Sequence, residues 1–395
     1  MLLSLALILL TGLVFSGLLN RLHLPGLLGM MIAGMVLGPN GLNWIHPSIL
    51  TVSKELRQLA LIIILLRAGL SMDLEDLKRI GKPALLMTFV PASFELVAII
   101  ILGPLLLNLS ILDSALLGAV LAAVSPAVVV PRMLKLMDEH RGTHERIPQL
   151  IMAGASVDDV YVIVLFTAFV AMAQGKGLNI AQFIEVPFSL ITGILGGFGM
   201  GLLLIKLFKT FHMRDTVKVL VLLSASFLMV AFETNYSSVF PFSAYLAIMA
   251  MGVSILQRYG LLAARISGKF NKSWVAAELL LFVLVGAAVD IRSHQSTGLN
   301  SVLILVLALG VRMVGVTVAL LPSKLKLKEK IFCGVAYLPK ATVQAAIGGI
   351  PLSLGFASGN IILSMAVLAI LISAPLGAIL MDRLAPKLLT QEKEA

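Results

Sequence analysis

Runs of about 20 apolar residues recur from one end of this 395-residue chain to the other, and no other feature narrows its fold so far. Twenty helical residues rise about 30 Å, the thickness of a bilayer's hydrocarbon core. Charged residues make up 13% of the chain, against roughly 25% in soluble domains. A soluble fold built from this sequence would have no polar coat, whereas a membrane protein needs none across its lipid belt. No stretch is polar enough to form a separate soluble domain. The sequence therefore implies an all-α polytopic membrane protein, with residues 1–395 forming a single membrane domain of two halves.

Thirteen candidate spans can be drawn, at about 1–20, 24–38, 58–71, 84–107, 112–131, 147–173, 186–205, 219–233, 239–257, 274–290, 299–321, 331–352 and 360–382. The first lacks the basic start and small-residue cleavage site of a signal peptide, so it is kept as a helix. The mature chain is expected to begin near residue 1. The net charge is +10, yet this does not suggest nucleic acid, because the basic residues lie in short loops between apolar runs. Loops after odd-numbered spans, with the tail, hold 23 Lys and Arg; loops after even-numbered spans hold 4. Positive loops stay on the cytoplasmic side, which places the N-terminus outside and the C-terminus inside. The single cysteine, Cys333, lies in an apolar run, so no intramolecular disulfide can form.

The two halves resemble each other. The third span ends Gly69-Leu70-Ser71-Met72-Asp73 and the tenth ends Gly286-Ala287-Ala288-Val289-Asp290, each with a glycine four residues before an aspartate. Asp73 and Asp290 read as helix-end residues facing water. From Asp73 to Glu95 is 22 residues, and from Asp290 to Arg312 is also 22. The next span in each half carries a proline, in Ser125-Pro126 and in Leu338-Pro339-Lys340. Spans three to five thus map onto ten to twelve, an odd displacement that inverts the second copy. Repeat 1 covers about 1–173, a linking span 186–205, repeat 2 about 219–382, and a short cytoplasmic tail 383–395. Inverted repeats with interrupted helices at matching positions point to the binding site of a secondary transporter.

Proline inside a helix removes a donor and clashes with the preceding turn, and backbone groups freed within a membrane need a partner or a water-lined cavity. Ser125 offers a hydroxyl for that purpose beside Pro126. Around Pro339, the Lys340 ammonium is suited to the negative end of a half-helix, with Thr342 and Gln344 close behind.

Charges at mid-membrane are costly and functional by default. The candidates are Arg67, Glu95, Asp158, Asp159, Arg312 and Lys340. Asp158-Asp159, half-way along the sixth span, is the strongest signal. Neighbours on a helix point about 100° apart, so one carboxylate can face an ion cavity while the other faces a second helix. A carboxyl shielded from water beside a like charge holds its proton nearer to neutral pH. Such a group can exchange its proton for a hard cation such as Na⁺ or Li⁺. Glu95 and Arg312 occupy equivalent places in the two repeats and can form an intramembrane ion pair, either fixed or with Arg312 exchanging partners between Glu95 and Asp158. Arginine never releases its proton, so Arg312 tunes the carboxylates without carrying one. Arg67 reads as a side chain snorkelling to the interface.

The glycines of spans two (Gly26, Gly29, Gly34) and seven (Gly193, Gly196, Gly197, Gly199, Gly201) read as helix packing. His140 and His144 read as residues of a solvated loop, with sensing of cytoplasmic pH as the alternative. No phosphate-binding loop, metal-type Cys/His cluster or nucleophile elbow is present, so neither an enzyme nor a cofactor is expected.

At Val124-Ser125-Pro126-Ala127-Val128-Val129-Val130-Pro131, Ser156-Val157-Asp158-Asp159 and Tyr337-Leu338-Pro339-Lys340-Ala341-Thr342-Val343-Gln344-Ala345, the chain resembles the cation/proton antiporter superfamily. The similarity is to its NHA branch of sodium(lithium)/proton antiporters and covers essentially the whole chain. The resemblance implies a homodimer with a dimer domain and a mobile core domain in each protomer. It also implies a NhaA/NapA-like antiporter fold, with spans five and twelve crossing as broken helices, and elevator-type alternating access. Asp159 is then the main ligand for Na⁺ or Li⁺ and for the competing proton, and Asp158 its charge-paired neighbour beside Arg312. Bacterial electrogenic members with a double aspartate typically have Lys at the position of Arg312. Glu95 matches an acid that pairs with that basic residue in the NHA branch, and many members have an acid where this chain has Ser125. A bacterial inner (plasma) membrane is the expected location. Two other functions fit an inverted fold: K⁺/H⁺ exchange, for which the chain leaves no room for a regulatory nucleotide domain after span thirteen, and sodium-coupled symport of an organic anion. A non-transporting membrane sensor is disfavoured by the buried charges.

Overall fold

The computed structural model describes residues 1–22, 24–71, 81–174, 180–236, 240–288 and 298–391, and every regular element among them is helical. Asp73 and Asp290 lie outside the described residues. Among the described residues nine helices are long and apolar enough to cross a membrane, and two shorter apolar helices span Gly26–Leu37 and Ala244–Arg258. The other sequence spans fall on Ser53–Ser71, which carries four charged side chains, and on a helix broken into Leu327–Ala336, Thr342–Ile347 and Ile350–Ser353.

The chain divides into two compact units, neither of which follows a sequence half. The first comprises Met1–Lys54, Asp73–Val162 and Leu281–Ala395. Here Val90–Leu107 packs against both Gly298–Ala319 and Ile111–Ala122, and Gly359–Leu388 touches both broken helices. Close crossings rest on glycine. A Cβ on Gly34 would overlap the carbonyl of Val283, and one on Gly286 would overlap that of Met31. Two backbones approach there within reach of dispersion and weak C–H···O contacts.

The second unit comprises Glu55–Met72 and Ile163–Leu280. Helix Ile180–Thr210 packs against Ala244–Arg258. Gly193, Gly197 and Gly201, four residues apart, meet the carbonyls of Ser243, Ala247 and Met251 on the facing helix, whereas Gly199 faces open space. Arg67, read from sequence as a snorkelling side chain, has partners within the unit: its Nε donates to Asn271 Oδ1 at 2.8 Å, and its guanidinium lies 5.3 Å from the Trp274 ring centroid.

Candidate functional site

Two helices of the first unit are interrupted. One runs Ile111–Ala122, is extended through 123–125, and resumes as Pro126–Asp138. The break therefore precedes the proline. Pro126 occupies the first position of the second half-helix, where its missing N–H costs nothing, and it disfavours helical geometry in the residue before it. The other runs Leu327–Ala336, is non-helical through 337–341, and resumes at Thr342.

The freed backbone groups of each break are satisfied mostly by the other break and by charged side chains. Ser125 N–H donates to the Pro339 carbonyl at 2.8 Å, joining the two extended segments. Val124 N–H donates to Asp158 Oδ2 at 2.8 Å, and Lys340 N–H to Ser373 Oγ at 2.9 Å. Arg312 Nε donates to the Tyr337 carbonyl at 2.8 Å, and its Nη1 to that of Ala122. Gln344 Nε2 donates to the carbonyl of Ala123 at 2.9 Å. In a membrane each of these groups would otherwise cost several kcal/mol.

This corrects two sequence expectations. The Ser125 hydroxyl caps no freed carbonyl, because its oxygen has no hydrogen-bond partner and the backbone N–H does the joining. The Lys340 ammonium does not sit on a half-helix end. Arg312 and Gln344 take that role with their several planar N–H groups, and Lys340 Nζ goes instead to Glu95 Oε2 at 2.6 Å.

Four fully buried side chains form one charge cluster. Arg312 Nη1 lies 2.8 Å from Glu95 Oε2 and Nη2 lies 3.1 Å from Asp158 Oδ2, so the guanidinium holds both acids at once rather than choosing between them. Its fork of donors makes this possible. Glu95 Oε2 is shared by Arg312 and Lys340. Two acids and two bases thus balance. The 100° between helical neighbours gives Asp159, on the same helix Ile147–Ala173, a different environment: it is half-buried and in none of these ion pairs. Its Oδ1 is shut off from solvent without a hydrogen-bond partner.

Six other buried oxygens on these elements are also unpartnered: Ser125 Oγ, Thr342 Oγ1, Tyr337 Oη and Gln344 Oε1, with one oxygen each of Glu95 and Asp158. All are hard donors of the kind that bind hard cations. Among the described residues no group of three His, Cys, Asp or Glu side chains is placed to hold a metal. Tyr337, Gln344 and Ser373 were not assigned roles from sequence. Tyr337 carries its ring 5.4 Å from the Arg312 guanidinium and its hydroxyl against Gly154, one turn before Asp158. The signal for Gln344 was an amide in an apolar run; Ser373 gave none, since a lone serine is ordinary in a membrane helix.

A bundle of apolar helices with interrupted segments joined at a buried, charged centre is the build of a secondary ion transporter. The family described as "Sodium/hydrogen exchanger, transmembrane" matches residues 5–384. The chain is 32% identical over 383 residues to sodium/hydrogen exchanger 9B2 of Mus musculus, covering 94% of this chain and 69% of that one. It is 34% identical over 388 residues to sodium/hydrogen exchanger 9B1 of Homo sapiens, covering 93% and 73%. The structure of the sodium proton antiporter MjNhaP1 from Methanocaldococcus jannaschii at pH 8 superposes with a TM-score of 0.82 at 22% identity, covering 97% of each chain, and shares the fold. The chain belongs to the sodium/hydrogen exchanger family, in the NHA-type branch of the cation/proton antiporter superfamily. It is an integral, multi-pass membrane protein and a transporter rather than an enzyme. The two relatives are animal exchangers, so the expectation of a bacterial plasma membrane finds no support in them.

Proposed function

We propose that the chain exchanges Na⁺ or Li⁺ for H⁺, with Asp159 as the group for which proton and cation compete. One observation carries this reading. Glu95 and Asp158 are neutralised by Arg312 and Lys340, while Asp159 presents a sequestered carboxylate oxygen with no partner. A carboxylate oxygen withdrawn from water without a counter-charge or hydrogen-bond donor costs free energy. Two species remove that cost, a proton on the carboxyl or a cation at it, and they exclude each other. Competition at one group, coupled to alternating access, is antiport. Asp158 then holds the extended segment through Val124 N–H and stays charged against Arg312.

The resemblance noted above supports the finer parts of the proposal: a homodimer, thirteen spans with the N-terminus outside, and elevator-type movement. In purified protein reconstituted into liposomes with a pH dye, Na⁺ and Li⁺ should drive proton movement and Asp159→Asn should abolish it. Transport that survives Asp159→Asn would place the exchange elsewhere. A parent protein without cation-driven proton flux would sink the proposal.

A further inference from the structure

The segment that follows helix Gly359–Leu388 is tied down. Leu389 is 4% exposed, and its Cδ1 lies 3.2 Å from where a Cβ on Gly142 would stand. Gly142 N–H donates to the Thr390 carbonyl at 2.8 Å, and Arg141 and Gln391 face each other as an antiparallel bridge. Their side chains repeat the pairing: Arg141 Nη2 donates to Gln391 Oε1 at 2.9 Å, and Gln391 Nε2 to the Glu139 carbonyl at 3.2 Å. A separate tie joins the helices that precede these two segments, Pro126–Asp138 and Gly359–Leu388, with Arg132 Nε 3.3 Å from Asp382 Oδ1.

The loop under this strap, 139–146, carries the chain from the broken half-helix to the helix of the two aspartates. Its backbone is left-handed at three places, His140 (φ 48°), Gly142 (φ 67°) and Arg146 (φ 52°). For His140 and Arg146 that geometry costs about 1–2 kcal/mol each, and such geometry persists where the surroundings hold it. Gly142 is held on both sides. Its N–H is bound by the strap, and its carbonyl accepts the N–H of Ile147, the first residue of the aspartate helix, at 3.0 Å. Asp159 lies 12 residues further on, about 18 Å along a rigid element.

We propose that Leu389, Thr390 and Gln391 are positioning residues for the ion site: the strap fixes the loop, and the loop fixes how the aspartate helix stands against the first broken helix. The strap touches no ion, so its removal should displace Asp159 relative to the crossing without removing a ligand. A displaced ligand weakens cation binding and leaves the rate at saturation nearly intact. This rests on the antiporter reading.

The test measures KM and Vmax for Na⁺-driven proton movement in proteoliposomes, well below the unfolding midpoint of each variant. A chain ending at Leu388 and the variant Leu389→Ser should raise KM at least threefold with Vmax within twofold. Gln391→Ala, which removes only hydrogen bonds, should raise it less, and Leu389→Met should keep the parent value. In a Cys333→Ala background, Arg141→Cys with Gln391→Cys faces two thiols across an antiparallel pair, at a spacing a disulfide can bridge. Its oxidised form should transport with the parent KM. Strap variants with lowered thermal stability but unchanged KM would reduce the strap to a staple and overturn the inference. So would a disulfide that blocks transport until reduced, because the strap would then be a moving part. A parent protein with no cation-driven flux fails the antiporter reading instead, and this inference with it.

Discussion

Glu95→Gln takes one negative charge from a cluster that is otherwise neutral. Its Oε2 accepts from Lys340 Nζ at 2.6 Å and from Arg312 Nη1 at 2.8 Å, and all three side chains are fully buried. Arg312 keeps Asp158 at 3.1 Å and the backbone carbonyls of Tyr337 and Ala122. Lys340 keeps no ion pair among the described residues, so the loss falls mainly on its ammonium. Removing one partner of a buried pair costs about 3–5 kcal/mol, because the other charge is stranded. For a chain of this size that lowers the melting midpoint by roughly 4–6 °C. Lys340→Met is expected to cost less, since Glu95 still has Arg312. The double variant should be more stable than the two losses together predict, by about 1–3 kcal/mol. Cys333, buried and the only cysteine, supplies the assay: a thiol-reactive dye labels it on unfolding during a melt at fixed scan rate. Additive losses, or a Glu95→Gln shift under 2 °C, would refute the shared-carboxylate account.

Two further outcomes follow from close packing. Gly154→Ala drives a methyl into the Tyr337 hydroxyl and should cost about 1–3 kcal/mol by melt, and Tyr337→Phe, which removes that oxygen, should restore most of it. Gly197→Ala meets the backbone carbonyl of Ala247 and should destabilise similarly, while Gly199→Ala, facing open space, should be neutral or slightly stabilising; equal shifts at the two positions would discard the glycine-ladder packing.

What could be read in advance from the sequence was what depends on one dimension. Apolar run length predicted the membrane class and most helices, because lipid thickness converts directly into residue number. The costly residues could also be named: Glu95, Asp158, Asp159, Arg312 and Lys340 stand out against lipid wherever they are placed. Pro126 and Pro339 marked the interruptions to within a few residues. The first break lies ahead of its proline because proline constrains the residue before it and sits without strain at a helix start.

Partnership was not legible. Arg312 binds residues 154 and 217 positions away along the chain, and Lys340 reaches Glu95 across 245. No spacing rule records such pairings. An ammonium beside a broken helix suited the carbonyls next to it, yet the fold brought a forked guanidinium and an amide to those carbonyls and left the ammonium for Glu95. The strap on loop 139–146 was equally silent, since Leu389, Thr390 and Gln391 carry no motif. The sequence by itself determined that the aspartates and their basic neighbours lie inside a membrane protein, because hydropathy and charge are local properties. Only the tertiary structure decided that Asp158 has an ion-pair partner and that Asp159, among the described residues, has none, because pairing depends on which distant side chains the crossing helices bring within hydrogen-bond reach.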